Sequence, residues 1–212
     1  MPPNTAVIRR LQPKLLGPAD YRVMPWKNGK GSTTEIAIHP AGAGLKDLLW
    51  RVSLAEVGED GDFSSFPGCD RSIMVAAGAG MELQFNGEAR SRLEGPGAWT
   101  HFSGDWHTRC VLLDGPVRDF NVMSARAHVH HECEPVMGEP VEFVWEPHGE
   151  TLLCYCVSGT LVLKARRAAE WQLAPGQSLL LPAERGRHGL MNLMVVPHTR
   201  GTLGAVVRLR AV

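Results

Sequence analysis

Hydrophobic and polar residues alternate along this chain over short stretches and do not recur every three or four positions. EIAIH (35–39), LLWRVSLAEV (48–57), RSIMVAA (71–77), MELQF (81–85), RCVLLD (109–114), RDFNVMSA (118–125), VEFVW (141–145), TLLCYCV (151–157), TLVLKA (160–165), QSLLLP (177–182), LMNLMVV (190–196) and GAVVRLRAV (204–212) are rich in valine, leucine and aromatic residues. Turn-forming residues separate them, which is the pattern of strands in a β protein. No segment sustains a capped 3.6-residue period, and a short helix is expected only around 45–49. The pattern predicts an all-β fold, either a sandwich or a barrel.

A faint repeat runs through the same pattern. At a constant offset of 79 residues, Gly80 meets Gly159, Pro96 meets Pro175 and Gly97 meets Gly176. Each copy has a glycine before a hairpin strand, then a Pro-Gly turn before another strand. A period this long predicts two similar β units in one chain and no solenoid.

Composition narrows the function classes. The chain has 212 residues, 44% of them hydrophobic, enough for one large core or two small ones. Lys plus Arg and Asp plus Glu are 22 each, so no broad electrostatic footprint for nucleic acid or an anionic membrane is expected. The first twenty residues hold no apolar core of a signal peptide, and no apolar run reaches the ~18 residues of a membrane span. Five scattered cysteines point to reduced thiols and a cytoplasmic location. Cys154 and Cys156 flank Tyr155 and fall on one face of a strand, as buried structural thiols.

The stretch WKNGKGSTTE (26–35) imitates a phosphate-binding loop but fails on spacing. That motif needs a glycine five positions before the glycine of Gly-Lys and a hydroxyl residue directly after the lysine. Here Met24 and Gly31 stand at those positions. Asn28-Gly29 reads as a tight turn, Gly31 allows close backbone approach, and Thr33 and Glu35 share one strand face.

Charged and polar residues embedded in apolar strands are the next signal. Arg51 lies between Trp50 and Val52, and a guanidinium there either alternates outward or needs compensation inside. Inside, its fork suits two-point capture of a carboxylate. Arg71 follows Asp70, with which a local ion pair is expected, and Asp119-Phe120-Asn121 shows the same interleaving. The FSGD turn (102–105) is expected to be structural.

Gly176, Pro182, His188 and Asn192 are spaced like the second motif of cupins, with one extra residue before the histidine. That resemblance implies small jelly-roll units, many of which hold a metal through three histidines and a carboxylate. The His-x-His that should precede Gly80 or Gly159 is missing, so no metal and no cofactor are expected. His128, His130 and Glu134 in AHVHHECEP have metal-ligand spacing on the wrong strand. A polar linker is expected there, with a surface zinc or nickel site as the alternative.

Four blocks, WKNGKGSTTE, WRVSLAEVGEDGDFSSFPGCDR, FSGD and VRDFNVMSAR, resemble in order and content the HutD/Ves family of cupin-like proteins. The resemblance implies a bicupin of two β units, here 1–126 and 127–212 with strand exchange allowed across the boundary. It further implies a non-catalytic, metal-free regulator that tunes histidine utilisation by binding a small acid such as urocanate or a formylated amino acid. The pocket then borders the first unit, with Trp26, Asn28, Thr33, Glu35, Arg51, Phe120 and Asn121 as the ligand shell. Arg51 would fix the carboxylate, Glu35 would be its counter-ion, Asn28 and Asn121 would hydrogen-bond the ligand, and Trp26 and Phe120 would cover it. The second unit, including His188, is expected to be structural. Two alternatives stay open. One is a metal-independent cupin enzyme of isomerase type, for which His101 or His107 could supply a base. The other is a Ves-like stress protein acting through protein contacts. The expected partner is a small anion, with no nucleic acid and no membrane, and a homodimer is left open.

Overall fold

The computed structural model describes residues 12–26, 31–165, 169–184 and 189–212. Asn28 and His188 lie outside the described residues. The expected all-β fold is present: among the described residues the only helical element is the 3-10 turn Pro18–Asp20.

Nineteen strands follow one another among the described residues. The first eight are β1 (Lys14–Leu16), β2 (Arg22–Pro25), β3 (Gly31–His39), β4 (Trp50–Val57), β5 (Gly61–Phe63), β6 (Cys69–Ala77), β7 (Gly80–Phe85) and β8 (Ala89–Glu94). Next come β9 (Trp99–Ser103), β10 (Thr108–Leu112), β11 (Val117–Ala125), β12 (Val129–Met137), β13 (Val141–Trp145) and β14 (Glu150–Ser158). The chain ends with β15 (Leu161–Ala165), β16 (Ala169–Leu173), β17 (Ser178–Leu181), β18 (Met191–Pro197) and β19 (Leu203–Ala211).

They divide into two compact units. An N-terminal unit holds Tyr21–His131 with Val212, and a C-terminal unit holds Glu132–Ala211 with the segment ending at Asp20. This division differs from a cut at 126/127 in three places, one of them Val212. The chain's first strand, β1, hydrogen-bonds to β17 of the C-terminal unit, and the boundary falls inside β12.

Each unit is a pair of antiparallel sheets in a sandwich, not a closed barrel. In the N-terminal unit one sheet runs β2-β3-β4-β11-β6-β9 and the other β5-β10-β7-β8. In the C-terminal unit they run β1-β17-β14-β19-β12 and β13-β18-β15-β16. The orders β4-β11-β6-β9 and β12-β19-β14-β17 correspond strand for strand, as do β5-β10-β7-β8 and β13-β18-β15-β16. The repeat heard faintly in three glycine and proline positions is therefore a repeat of topology.

Alternation decides what fills each sandwich. In the C-terminal unit the inward residues of both sheets, among them Trp145, Leu152, Cys154, Cys156, Leu163, Leu179 and Val195, close into one apolar core. In the N-terminal unit Ile73, Val75, Met81, Leu83, Phe85, Phe102 and Val117 do the same, but over only part of the inner face.

Two local expectations are corrected. Residues 45–49 form no helix: 45–47 make a turn, closed by Asp47 N–H donating to the Gly44 carbonyl at 3.1 Å. The connection between β3 and β4 is too short to repay helix nucleation. AHVHHECEP is not a linker but most of β12, whose alternation buries Val129, His131 and Cys133 and exposes His130, Glu132 and Glu134. Among the described residues no three metal-type side chains converge, and no helix is long and apolar enough to cross a membrane.

Candidate functional site

The inner face of the six-stranded sheet is built in rows by its register. Val75, Asp119 and Ala55 form one row across β6, β11 and β4; Ile73, Asn121 and Ser53 form the next; Arg71, Met123 and Arg51 form the third. Period-2 alternation sends all nine side chains to the same side. The Arg71 end of this face opens into a cavity of about 520 Å³. Its wall includes Arg51, Ser53, Arg71, Asp119, Asn121 and Met123 from the sheet, with Trp26, Phe63 and Phe66 as aromatic cover.

Two buried guanidinium groups thus flank Met123, and they are held differently. Arg51 Nε donates to Glu35 Oε2 at 2.8 Å, with the two side chains 7% and 14% exposed. Among the described residues no carboxylate forms an ion pair with Arg71. Its Nη1 donates to the Ser64 carbonyl at 3.3 Å, and the rings of Phe102, Phe66 and Phe63 lie 5.1, 5.3 and 5.6 Å from its central carbon. An aromatic cage orients a cation without neutralising it. Burial pushes the Arg71 guanidinium down to about 10, opposed by nearby Asp119 and reinforced by Arg51. Burial pushes the Asp119 carboxyl up to about 7, with the Arg71 charge acting the other way.

Three buried side-chain atoms here have no hydrogen-bond partner: Arg71 Nε, Asp119 Oδ1 and Asn121 Oδ1. They are the complete set of such atoms among the described residues, and all three residues line one cavity. Native interiors leave few polar groups unpaired because each costs about 1–3 kcal/mol. A donor and two acceptors left open on one wall are placed to pair with a polar group entering the cavity.

The sequence-based shell divides accordingly. Trp26, Thr33, Arg51 and Asn121 line the cavity, with Trp26 Nε1 donating to Thr33 Oγ1 at 2.8 Å. Glu35 is the counter-ion of Arg51. Gly31 serves a neighbouring strand, because a Cβ there would meet the Glu56 carbonyl oxygen at 2.1 Å. Phe120 is a correction: it is fully buried and absent from the cavity wall. One residue from Asn121 on the same strand, it must face the other side of the sheet. Arg71 is a second correction. Asp70 pairs with Arg126, whose Nε donates to Asp70 Oδ1 at 2.8 Å, while Arg71 points inward. Arg71, Asp119 and Phe66 line the same cavity and lie outside the expected shell. The interleaving that singled out VRDFNVMSA carried the signal, since Asp119 and Asn121 cannot share a face with Phe120.

The remaining candidates have structural places. Asp105 of the FSGD turn accepts from Gly68 N–H at 2.8 Å and from Arg126 Nη2 at 2.9 Å. His101 lies on the opposite sheet face, its Nδ1 3.1 Å from Ser72 Oγ. Ser72 Oγ also meets His131 Nε2 at 3.0 Å, and His131 Nδ1 meets Ser124 Oγ at 2.7 Å. His107 is 3.4 Å from Asp62 at the surface.

Duplicated jelly-roll-like sandwiches, with a polar cavity on the inner face of one sheet of the N-terminal unit, define a two-unit cupin-type protein. The cupin-2 barrel protein of Leptotrichia buccalis shares this fold, with a TM-score of 0.52 at 10% identity over 96% of this chain and 98% of that one. The chain belongs to the HutD family, whose profile matches residues 18–195. It is 44% identical over 114 residues to an uncharacterized 21.2 kDa protein in the hutC 3′ region of Pseudomonas putida, covering 54% of this chain and 59% of the relative. It is 36% identical over 120 residues to protein Ves of Citrobacter koseri, covering 50% of this chain and 56% of that one. These alignments span little more than half of either relative. HutD from Pseudomonas fluorescens SBW25, solved in a formate condition, superposes with a TM-score of 0.76 at 33% identity, over 94% of this chain and 99% of that one.

Proposed function

We propose that this HutD/Ves-type cupin protein is a non-catalytic binder of small carboxylic acids, and that it tunes histidine utilisation by sensing an acidic intermediate such as urocanate or a formylated amino acid. One observation carries the reading: Arg51 and Arg71, both buried, flank Met123 on the wall of one cavity, and among the described residues Arg71 has no carboxylate of its own. Fixed guanidinium groups make a poor core and a good carboxylate site. The hutC neighbourhood of the Pseudomonas putida relative supports the assignment to histidine utilisation.

The test is a melting-temperature screen of urocanate, formylglutamate, histidine and glutamate. At a ligand concentration ~100 times Kd the stabilisation is about 2.7 kcal/mol, roughly 5–10 °C for a chain of this size. Arg51→Ala is expected to cost about 2–5 kcal/mol of binding, and Arg51→Lys to recover little because an ammonium lacks the two-point fork. If folded Arg51→Ala responds as the wild type does, Arg51 is not the anchor. If no acid shifts the wild type at millimolar concentration, the binding reading fails and action through protein contacts moves ahead. The enzyme reading has one observation in its favour: Asp119, held near neutrality inside the cavity, could exchange a proton with a bound acid. Chemical change of a bound acid on incubation with the protein would establish it.

A further inference from the structure

We infer that the cavity selects carboxylic acids that also carry an N–H group, with Asp119 and Asn121 as the acceptors of that hydrogen. The inference rests on the carboxylate reading above and assigns the other end of the ligand. Arg51 and Arg71 occupy the Met123 row, Asn121 the next row and Asp119 the row after that. Residues two apart on a strand are separated by roughly 7 Å. The unsatisfied acceptors therefore begin about one such step deeper than the cationic row.

Both acceptor side chains are more than nine-tenths buried, Asn121 at 8% and Asp119 at 1% exposed. Their open atoms, Asn121 Oδ1 and Asp119 Oδ1, are oxygens. Once the Asp119 carboxyl is ionised, above about pH 7, an acid that offered only further oxygen acceptors to this end would set like charges against each other and leave both oxygens unpaired. A ligand N–H on an azole or amide supplies the missing donor. It also suits the flat aromatic cover of Trp26, Phe63 and Phe66 on the same wall. The carboxylate end answers Arg71 Nε, the one unsatisfied buried donor among the described residues. Donor and acceptors thus lie at the two ends of one site, which gives the ligand a direction.

The position has a built-in control. On the corresponding strand of the C-terminal unit, the residue at the ladder position of Asp119 is Val206: Asp119 stands opposite Val75, and Val206 opposite Cys154, 79 residues later. The fold takes valine at that ladder position in the C-terminal unit, so Asp119→Val is the substitution that removes the acceptor with a side chain the scaffold already uses there.

The experiment measures Kd for two probes of the same shape, imidazole acrylate and furan acrylate, whose rings differ in carrying or lacking N–H. It uses the wild type, Asp119→Val, Asn121→Ala and Arg51→Lys. The wild type is expected to prefer the imidazole acid by at least about tenfold, because a site built for a donor leaves its acceptors unpaired with the analogue. Asp119→Val and Asn121→Ala should each shrink the ratio, towards about 1–3, through loss of the imidazole acid alone. Arg51→Lys should weaken both acids alike and keep the ratio. A wild-type ratio within about threefold overturns this inference and leaves carboxylate binding standing. So does a ratio that survives both acceptor substitutions. If neither acid binds the wild type, the carboxylate reading falls and takes this inference with it.

Discussion

Nine residues before Gly80 stands Arg71, and nine residues before Gly159 stands Glu150. The two occupy the same place in the duplicated fold, and the contrast between them separates the two units. Glu150 is 1% exposed and fully partnered: its Oε1 accepts from Arg208 Nε at 2.7 Å and Arg210 Nε at 3.0 Å, and its Oε2 accepts from Glu146 N–H at 3.2 Å. By ladder position Arg208 and Arg210 correspond to Asn121 and Met123. The C-terminal unit therefore satisfies its buried charge internally and fills the rest with Leu152, Cys154 and Val206. The N-terminal unit places Arg71, Asp119 and Asn121 at the matching positions and leaves an atom of each unpaired. One scaffold is filled once as an apolar core with its buried charge paired, and once with polar groups that the protein itself leaves unpaired, at a cost in stability.

The largest test of this contrast is in the C-terminal unit. Trp145 is fully buried and its Nε1 donates to the Glu150 carbonyl at 2.9 Å. Trp145→Ala should destabilise by about 3–5 kcal/mol in denaturant unfolding, while any protein that stays folded keeps its response to acids. Loss of that response in folded protein would break the division of labour.

In the N-terminal unit the expected effect is a gain. The Asp119 carboxyl titrates at about 7 in the fold, raised by burial from 3.8. The folded state therefore binds the proton more tightly than the unfolded chain, and stability falls as pH rises between those values. Asp119→Asn should leave stability nearly unchanged below about pH 4, raise it by about 2 kcal/mol at pH 5 and raise it further at pH 8, by up to on the order of 4 kcal/mol at 1.36 kcal/mol per pH unit. It should change acid binding at the same time. A melting-temperature difference that does not grow with pH would show that Asp119 carries no burial penalty.

The smallest effect contrasts the two faces of one sheet. His131 is buried on the face opposite the cavity, and both ring nitrogens have partners, Ser72 and Ser124. Burial, with neighbouring His101, pushes it down to about 4. Its folded value lies below the unfolded 6.5, so the stability it contributes is present above pH 6.5 and is lost as pH falls towards 4. At pH 5 that amounts to about 2 kcal/mol. His131→Gln should flatten stability against pH in that window without changing the affinity for acids. If His131→Gln altered affinity, the faces would not be independent.

Much of this was legible in the chain. Short runs of alternating polarity gave the strands, and glycine and proline at an offset of 79 gave the duplication, because strand period and turn chemistry are local properties. The same locality made Cys154 and Cys156 readable as buried thiols and Arg51 as a charge in need of a partner. It should also have excluded Phe120 from the side that holds Asn121. Three things were decided only by tertiary structure. The Arg71 end of the sheet's inner face stays uncovered by the apolar core, which depends on packing between sheets. Asp70 turns to Arg126, 56 residues away, and leaves Arg71 to its phenylalanine cage. The row that sets Arg51 and Arg71 on either side of Met123 exists only because β4 and β6 pair with β11 in one register, and strand register is a long-range agreement that no local window of sequence contains.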